Sequence, residues 1–188
     1  DTAADRQERI VVEEQNGIFD LTNIGNLEKT AVILPPGPAY YPNILLTPET
    51  ADTTVPESTN RYDTLRADYL SQRFVIRLPD TGQVYSLTFQ VSGRHAFRVY
   101  VNGSFVGQSG HPGTTKQGTE VWENNITCYA SATSGRMDIL LNAAQFYHHK
   151  SGARLASLTI RIAEADDSPL NNKLKGFLTM GVLLCAAG

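Results

Sequence analysis

Apolar side chains recur at every second position through most of the chain beyond Arg73. Phe74, Ile76 and Leu78 alternate with Arg73, Val75 and Arg77, and Tyr85, Leu87, Phe89 and Val91 with Ser86, Thr88 and Gln90. Phe97, Val99 and Val101 repeat the pattern, as do Met137, Ile139 and Leu141, and then Leu158, Ile160 and Ile162. A period of two marks strands with one buried face, whereas a helix would spread such residues around its circumference. Turn residues separate the runs: Pro79-Asp80-Thr81-Gly82, Ser92-Gly93, Asn102-Gly103 and the stretch Ser131 to Gly135. Asn-Gly between two apolar alternations is a strong hairpin signal, because both positions tolerate positive φ. Ser109 to Gly118, rich in Gly, Pro and Thr, reads as a long loop.

The first third of the chain is less regular. Ile10-Val11-Val12, Ile18 to Leu21 and Thr30 to Leu34 read as short strands, and Arg61 to Gln72 as room for a helical turn. Pro35 to Pro56 carries prolines at 35, 36, 38, 42, 48 and 56. That density excludes a central strand or a helix, so the segment is expected to wrap the surface as an ordered loop. Many strands with few helices imply an all-β domain, and their spacing suits a two-sheet antiparallel jelly-roll sandwich.

Composition narrows the function classes. The 188 residues are 41% hydrophobic and 19% charged, an ordinary globular balance, with a formal net charge of -3. No overall basic excess points to nucleic acid. Cys128 and Cys185 are too few and too far apart for a disulfide framework, lack metal-ligand spacing, and read as small apolar residues. The N-terminus shows no basic and apolar leader. Every residue after Lys175 is apolar, small or a lone Thr, a run shorter than the roughly 20 residues of a membrane span. It is expected to begin such a span at 174–188, behind a polar linker at 166–173 and a domain at 1–165; a buried terminal helix is the alternative.

Catalytic signatures are missing. Gly-x-Ser-x-Gly, Gly-x-Gly-x-x-Gly and the phosphate loop do not occur. The acidic neighbours Glu13-Glu14 and Asp166-Asp167 lie at expected edges or linkers and read as solvated charges rather than a facing catalytic pair. We therefore expect no enzyme, no cofactor and no metal site. His95 and His111 flank glycines and read as exposed turn residues. His148 and His149 would face opposite ways on a strand; in a loop they read as polar groups that pin it or meet a ligand. Trp122, the single tryptophan, follows a polar loop and begins a strand. With Asn142, Tyr147 and Arg154 it would serve a sugar site, the ring packing on pyranose C–H edges; the competing assignment is a core residue. Arg94 and Arg98 suit either an anionic ligand or an exposed sheet face.

Two segments carry a family resemblance. FRVYVNGSFVGQSG, Phe97 to Gly110, resembles the central hairpin of galactose-binding-like jelly rolls. RMDILLNAAQFYHHKSG, Arg136 to Gly152, resembles the extracellular sensor domain of bacterial receptors with seven transmembrane helices and diverse intracellular signalling modules. Where that family often has Asn directly before its Phe, this chain has Gln145. The resemblance implies a domain outside the cytoplasm at the cell membrane, joined by its C-terminal segment to the first span. The output, a histidine kinase, cyclase or phosphatase, would lie elsewhere. Its ligand would be a carbohydrate or another small molecule, met by Trp122, Asn142, Tyr147, His148, His149 and Arg154, with a homodimer left open. The alternative is an accessory carbohydrate-binding domain of a secreted glycoside hydrolase.

Overall fold

A computed structural model describes residues 8–25, 27–35, 39–57, 67–79, 82–90, 94–122, 125–147, 153 and 157–163. Within them run β1 (Glu8–Val11), β2 (Ile18–Asp20), β3 (Thr30–Leu34), β4 (Ala39–Pro42) and α1 (Pro48–Ala51). There follow β5 (Tyr69–Arg77), β6 (Val84–Gln90), β7 (Ala96–Val101), β8 (Ser104–Ser109), β9 (Ile126–Ser131), β10 (Arg136–Ala144) and β11 (Ser157–Ile162). Sheet 1 has the order β1-β3-β11-β6-β9, and sheet 2 the order β2-β5-β10-β7-β8. Without β1, β2 and β4, which lie at sheet edges, eight strands remain in two four-stranded antiparallel sheets, between which the chain passes repeatedly. This is the jelly-roll topology.

The full sheets are mixed rather than antiparallel. β1 pairs in parallel with β3, and β2 in parallel with β5, each added at an edge. Parallel neighbours need long crossovers, which the less regular first third of the chain supplies. The alternating residues named above meet between the sheets: Phe74, Ile76, Phe97, Val99, Ile139 and Leu141 from sheet 2 pack against Leu87, Phe89, Leu158 and Ile160 from sheet 1. Each such side chain is worth about 1.5–3 kcal/mol on burial, so this layer is the main source of stability. Asn102 and Gly103 both take positive φ (48° and 81°), which closes the β7–β8 hairpin with the twist its strands require. Ser134 and Gly135, and also Asn16 and Gly17, do the same.

Three expectations need correction. Tyr69 to Gln72 is strand, not helix, because its side chains continue the pairing of β5 with β10. The proline-rich segment is also more regular than a loop. Pro48 sits in the first turn of α1, where a missing N–H costs nothing, and Pro42 ends β4, which pairs only with β5. Finally, His95 is buried at 1% exposure, at the entry to β7.

The segment after β4 lies on the outer face of sheet 2. Tyr41, Leu46, Ala51 and Leu140 form a small second core there. Two polar side chains of the sheet hold Leu46 in place. Its N–H donates to Ser71 Oγ (2.8 Å), Ser71 Oγ donates to Asn142 Oδ1 (2.6 Å), and Asn142 Nδ2 donates to the Leu46 carbonyl (2.9 Å). Beside them Arg73 grips Asp138 with two nitrogens (2.8 and 2.6 Å), reaches the Ala51 carbonyl (3.1 Å) and pairs with Asp52 (2.5 Å). The hydrogen bonds to Asp138 are the main cause that holds the guanidinium charged, with its pKa above the ordinary value. Burial pushes the neighbouring Tyr41 phenol up.

Residues 164–188 and 1–7 lie outside the described residues, so the expected linker, the apolar tail and the domain limits are untouched by this architecture. Among the described residues no helix is long and apolar enough to cross a membrane.

Two stability outcomes follow. Asn142→Ala leaves the Leu46 carbonyl short of its partner in a buried place, while Ser71 keeps its bonds to Leu46 N–H and the Ile44 carbonyl, and should cost about 1–3 kcal/mol in urea unfolding. Cys128, as expected, is a buried apolar side chain, and burial pushes its thiol from 9.0 up to about 11. A raised folded pKa means that this stabilisation is intact below the unfolded value and is lost as pH climbs through the folded one. The urea midpoint should therefore fall between about pH 9 and 11, and this fall should be shallower in Cys128→Ala.

Candidate functional site

Loops at one end of sheet 2 carry the exposed Trp122 and Tyr147 with several charged groups; exposed Phe105 lies on β8 at the other end, opposite Tyr100. β7 starts at this end and β10 finishes there, with Ala144 opposite Ala96. The connection from β8 to β9 turns back on itself: His111 and Glu120 exchange backbone hydrogen bonds (2.7 and 3.0 Å), and Trp122 N–H donates to the His95 carbonyl (3.3 Å). Inside the turn, Thr119 Oγ1 donates to the Thr115 carbonyl (2.7 Å) and accepts from Gly113 N–H (3.2 Å), while Gly118 N–H donates to Thr115 Oγ1 (3.1 Å). The stretch expected to be a long loop is thus internally bonded. Gly110 makes its first bend with φ +68°, and a Cβ there would strike the Glu120 carbonyl.

This frame holds Trp122 half-exposed (48%) rather than in the core. It does not begin a strand, since β9 starts only at Ile126; it forms a single bridge to His95. Its indole N–H donates to Glu120 Oε1 (3.0 Å), which orients the ring. Tyr147, also 48% exposed, follows the end of β10, and Lys116 Nζ lies 5.0 Å from its ring centroid. That cation–π contact ties the loop to the segment after β10. Phe146 stacks on Tyr69 at 6.2 Å. On the adjoining sheet face, Arg98 donates to Gln108 Oε1 (3.2 Å) and lies 3.2 Å from His111 Nδ1.

Of the residues expected to meet a ligand, Trp122 and Tyr147 share this end. Asn142 is on the same strand as the approach to Tyr147, but it is 5% exposed and its amide is engaged with Ser71 and Leu46. His148, His149 and Arg154 lie outside the described residues, as do Lys150 to Gly152. His111 is exposed as expected. Arg94 is exposed beside the entry to β7. Lys116 and Glu120 had no distinguishing sequence signal beyond their place in a Gly- and Thr-rich loop next to the single tryptophan.

A second concavity, of about 250 Å³, opens at the opposite end of the same face, between α1 and the β7–β8 turn. Asp52, Arg73, Tyr100, Asn102, Asp138 and Leu140 line it. The separation along β7 from the aromatic end is roughly 20 Å. Here the tertiary fold brings together two carboxylates that sequence spacing did not, Asp52 and Asp138. Arg73 stands between them, and Asn102 is bonded to the Ser131 carbonyl and Thr133. These polar groups bind one another and fasten α1 to the sheet. The carboxylates Glu13 and Glu14 remain at the edge, on the turn between β1 and β2, and Asp166-Asp167 lies outside the described residues. Among the described residues no three His, Cys, Asp or Glu side chains converge as metal ligands.

No family model matches the chain, and no curated protein matches it. Solved structures overlap it partially. A β-glucosidase from Kluyveromyces marxianus does so at a TM-score of 0.36 and 12% identity, over 74% of this chain and 18% of the enzyme. The chain thus spans less than a fifth of that protein's length. A PA14 sugar-binding domain from an RTX adhesin gives 0.32 and 11%, over 68% of each chain. A family 35 carbohydrate binding module from Clostridium thermocellum gives 0.31 and 16%, over 72% of this chain and 95% of that one. At such scores the strand order described above, not the overlap, identifies the fold.

Gly110→Ala should destabilise the domain by about 2 kcal/mol or more, since both the positive φ and the collision with Glu120 oppose a side chain. Because Trp122 is the single tryptophan, its emission maximum should shift in this variant if the bridge from Trp122 to His95 loosens, and the shift is read directly by fluorescence.

Proposed function

We propose that this domain is a non-catalytic carbohydrate-binding module that uses the loop end of sheet 2. The observation that carries the reading is Trp122: a large ring left half-exposed, with its N–H already bonded to Glu120. An indole so held cannot swing away, so little side-chain entropy is lost when a ligand packs on it. The C–H edge of a pyranose suits such a ring, and Lys116, Glu120, Arg98 and His111 offer donors and acceptors nearby for hydroxyl groups. Tyr147, held by Lys116, supplies a second aromatic surface. His148, His149 and Arg154 follow Tyr147 in the chain and belong to the same proposal.

Within that reading, the module's setting is an extracytoplasmic sensor of a bacterial membrane receptor. Support comes from the resemblance of Arg136 to Gly152 and from the apolar run after Lys175. Sensing then requires that the sugar bind two receptor states with different affinity. An accessory domain of a secreted glycoside hydrolase uses the same site without that requirement. The coding sequence downstream of Gly188 separates the two: further apolar spans and a signalling module in one case, a hydrolase or no membrane segment in the other.

Titrating the protein with neutral mono- and oligosaccharides should change Trp122 fluorescence saturably, and Trp122→Ala should weaken binding at least tenfold in calorimetry while the urea midpoint stays near wild type. A panel without any saturable response, or an alanine variant of undiminished affinity, overturns the assignment.

A further inference from the structure

The outer face of sheet 1 carries a groove of about 200 Å³, lined by Arg9, Ala31, Ile33, Thr88, Gln90, Thr159 and Arg161. Pairing shows why these side chains share one face. Arg9 on β1 stands opposite Ala31 on β3, Ile33 opposite Thr159 on β11, and Thr159 opposite Thr88 on β6. Arg161 lies two residues beyond Thr159 on the same side of β11. Ala31 is the shortest of the side chains on the floor, and its size leaves the groove its depth. Gln90 is held at one end by Ser157 Oγ (3.0 Å), and Thr88 is oriented by Thr127 Oγ1 (2.9 Å).

The lining is electrically one-sided. Its charged members are two arginines, and no carboxylate lines it, in a chain whose formal net charge is -3. None of the ion pairs among the described residues involves Arg9, which is exposed. We propose that this groove is a second binding site, separate from the Trp122 end, for a small ligand that carries an oxyanion and hydroxyl groups: a uronate or a sulfated monosaccharide. A guanidinium presents two parallel N–H donors to a carboxylate or sulfate, and an edge-strand arginine can supply that fork. The hydroxyls of Thr88 and Thr159 and the amide of Gln90 both donate and accept, as a sugar's hydroxyls require. The volume is below the roughly 300–1,000 Å³ of sites for drug-sized molecules, so a single sugar ring fits it better than a chain. The proposal does not depend on the Trp122 reading.

Calorimetry with glucuronate, a sulfated glucose, glucose and inorganic sulfate tests it on the wild-type chain and on Arg9→Gln and Trp122→Ala. Both acidic sugars should bind, weakening as salt rises, while inorganic sulfate, and glucose in Trp122→Ala, bind at least tenfold more weakly. Arg9→Gln should lower acidic-sugar affinity tenfold or more without moving the urea midpoint, because Arg9 is exposed on an edge strand. Trp122→Ala should leave acidic-sugar affinity unchanged. Undiminished binding in Arg9→Gln overturns the site. Equal affinity for glucose in Trp122→Ala, or for inorganic sulfate, overturns the ligand class. Loss of acidic-sugar binding in Trp122→Ala moves the ligand to the aromatic end and overturns the second site.

Discussion

The hydrogen-bonded ring of Leu46, Ser71 and Asn142 decides which surfaces of this sandwich remain open. A sheet's outer face normally meets water, and Ser71 and Asn142 would be unremarkable there as solvated polar residues. Instead they satisfy both backbone groups of Leu46, much as a neighbouring strand would, and so permit that backbone to be buried. Leu46 can then pack on Leu140, and α1 settles beside it under the grip of Arg73. One half of sheet 2 thereby gains a third layer. At the loop end Trp122 and Tyr147 stay half-exposed.

The two halves of sheet 2 therefore use polar groups differently. Around Asp52, Arg73, Asp138 and Arg136 two carboxylates and two guanidinium groups pair with one another and close a structural joint. Partly buried ion pairs of this kind owe their value to geometry: Arg73 meets Asp138 with two nitrogens. Around Trp122 the internal bonds are spent on shaping the loop, and the ring faces are not consumed. A preorganised, half-dry surface of that kind is what a weakly hydrated ligand face requires.

Sheet 1 contributes a different surface. Its outer face lacks a covering segment among the described residues at the groove, and the β1 edge brings Arg9 alongside the threonines of the central strands. The parallel addition of β1 to β3 places Arg9 there, since β1 itself is four residues long and has little hydrophobic content of its own to bury. The two sheets thus present outer faces of different chemistry.

The period-two runs by themselves determined β6, β7, β10, β11 and the part of β5 from Phe74 and, through the jelly-roll spacing, the class of fold; β9 was not among those runs. Local chemistry was sufficient because one buried face and a turn such as Asn102-Gly103 are encoded within a few residues. The parallel edges β1 and β2, the strand at Tyr69 to Gln72 and the helix at Pro48 were decided by long-range pairing, for which no local period exists. The same holds for the sites. Trp122 and Tyr147 could be singled out as aromatic residues next to polar loops, but their exposure depended on the frame built by Gly110, Thr119 and Glu120. Asn142 stood out for the same polar character and was drawn inward by Leu46, a partner 96 residues away in the chain. Asp52 with Asp138, and Arg9 with Arg161, are neighbours only because the sheets align their strands. Sequence specified which residues face in or out along each strand; tertiary structure alone specified which of them meet.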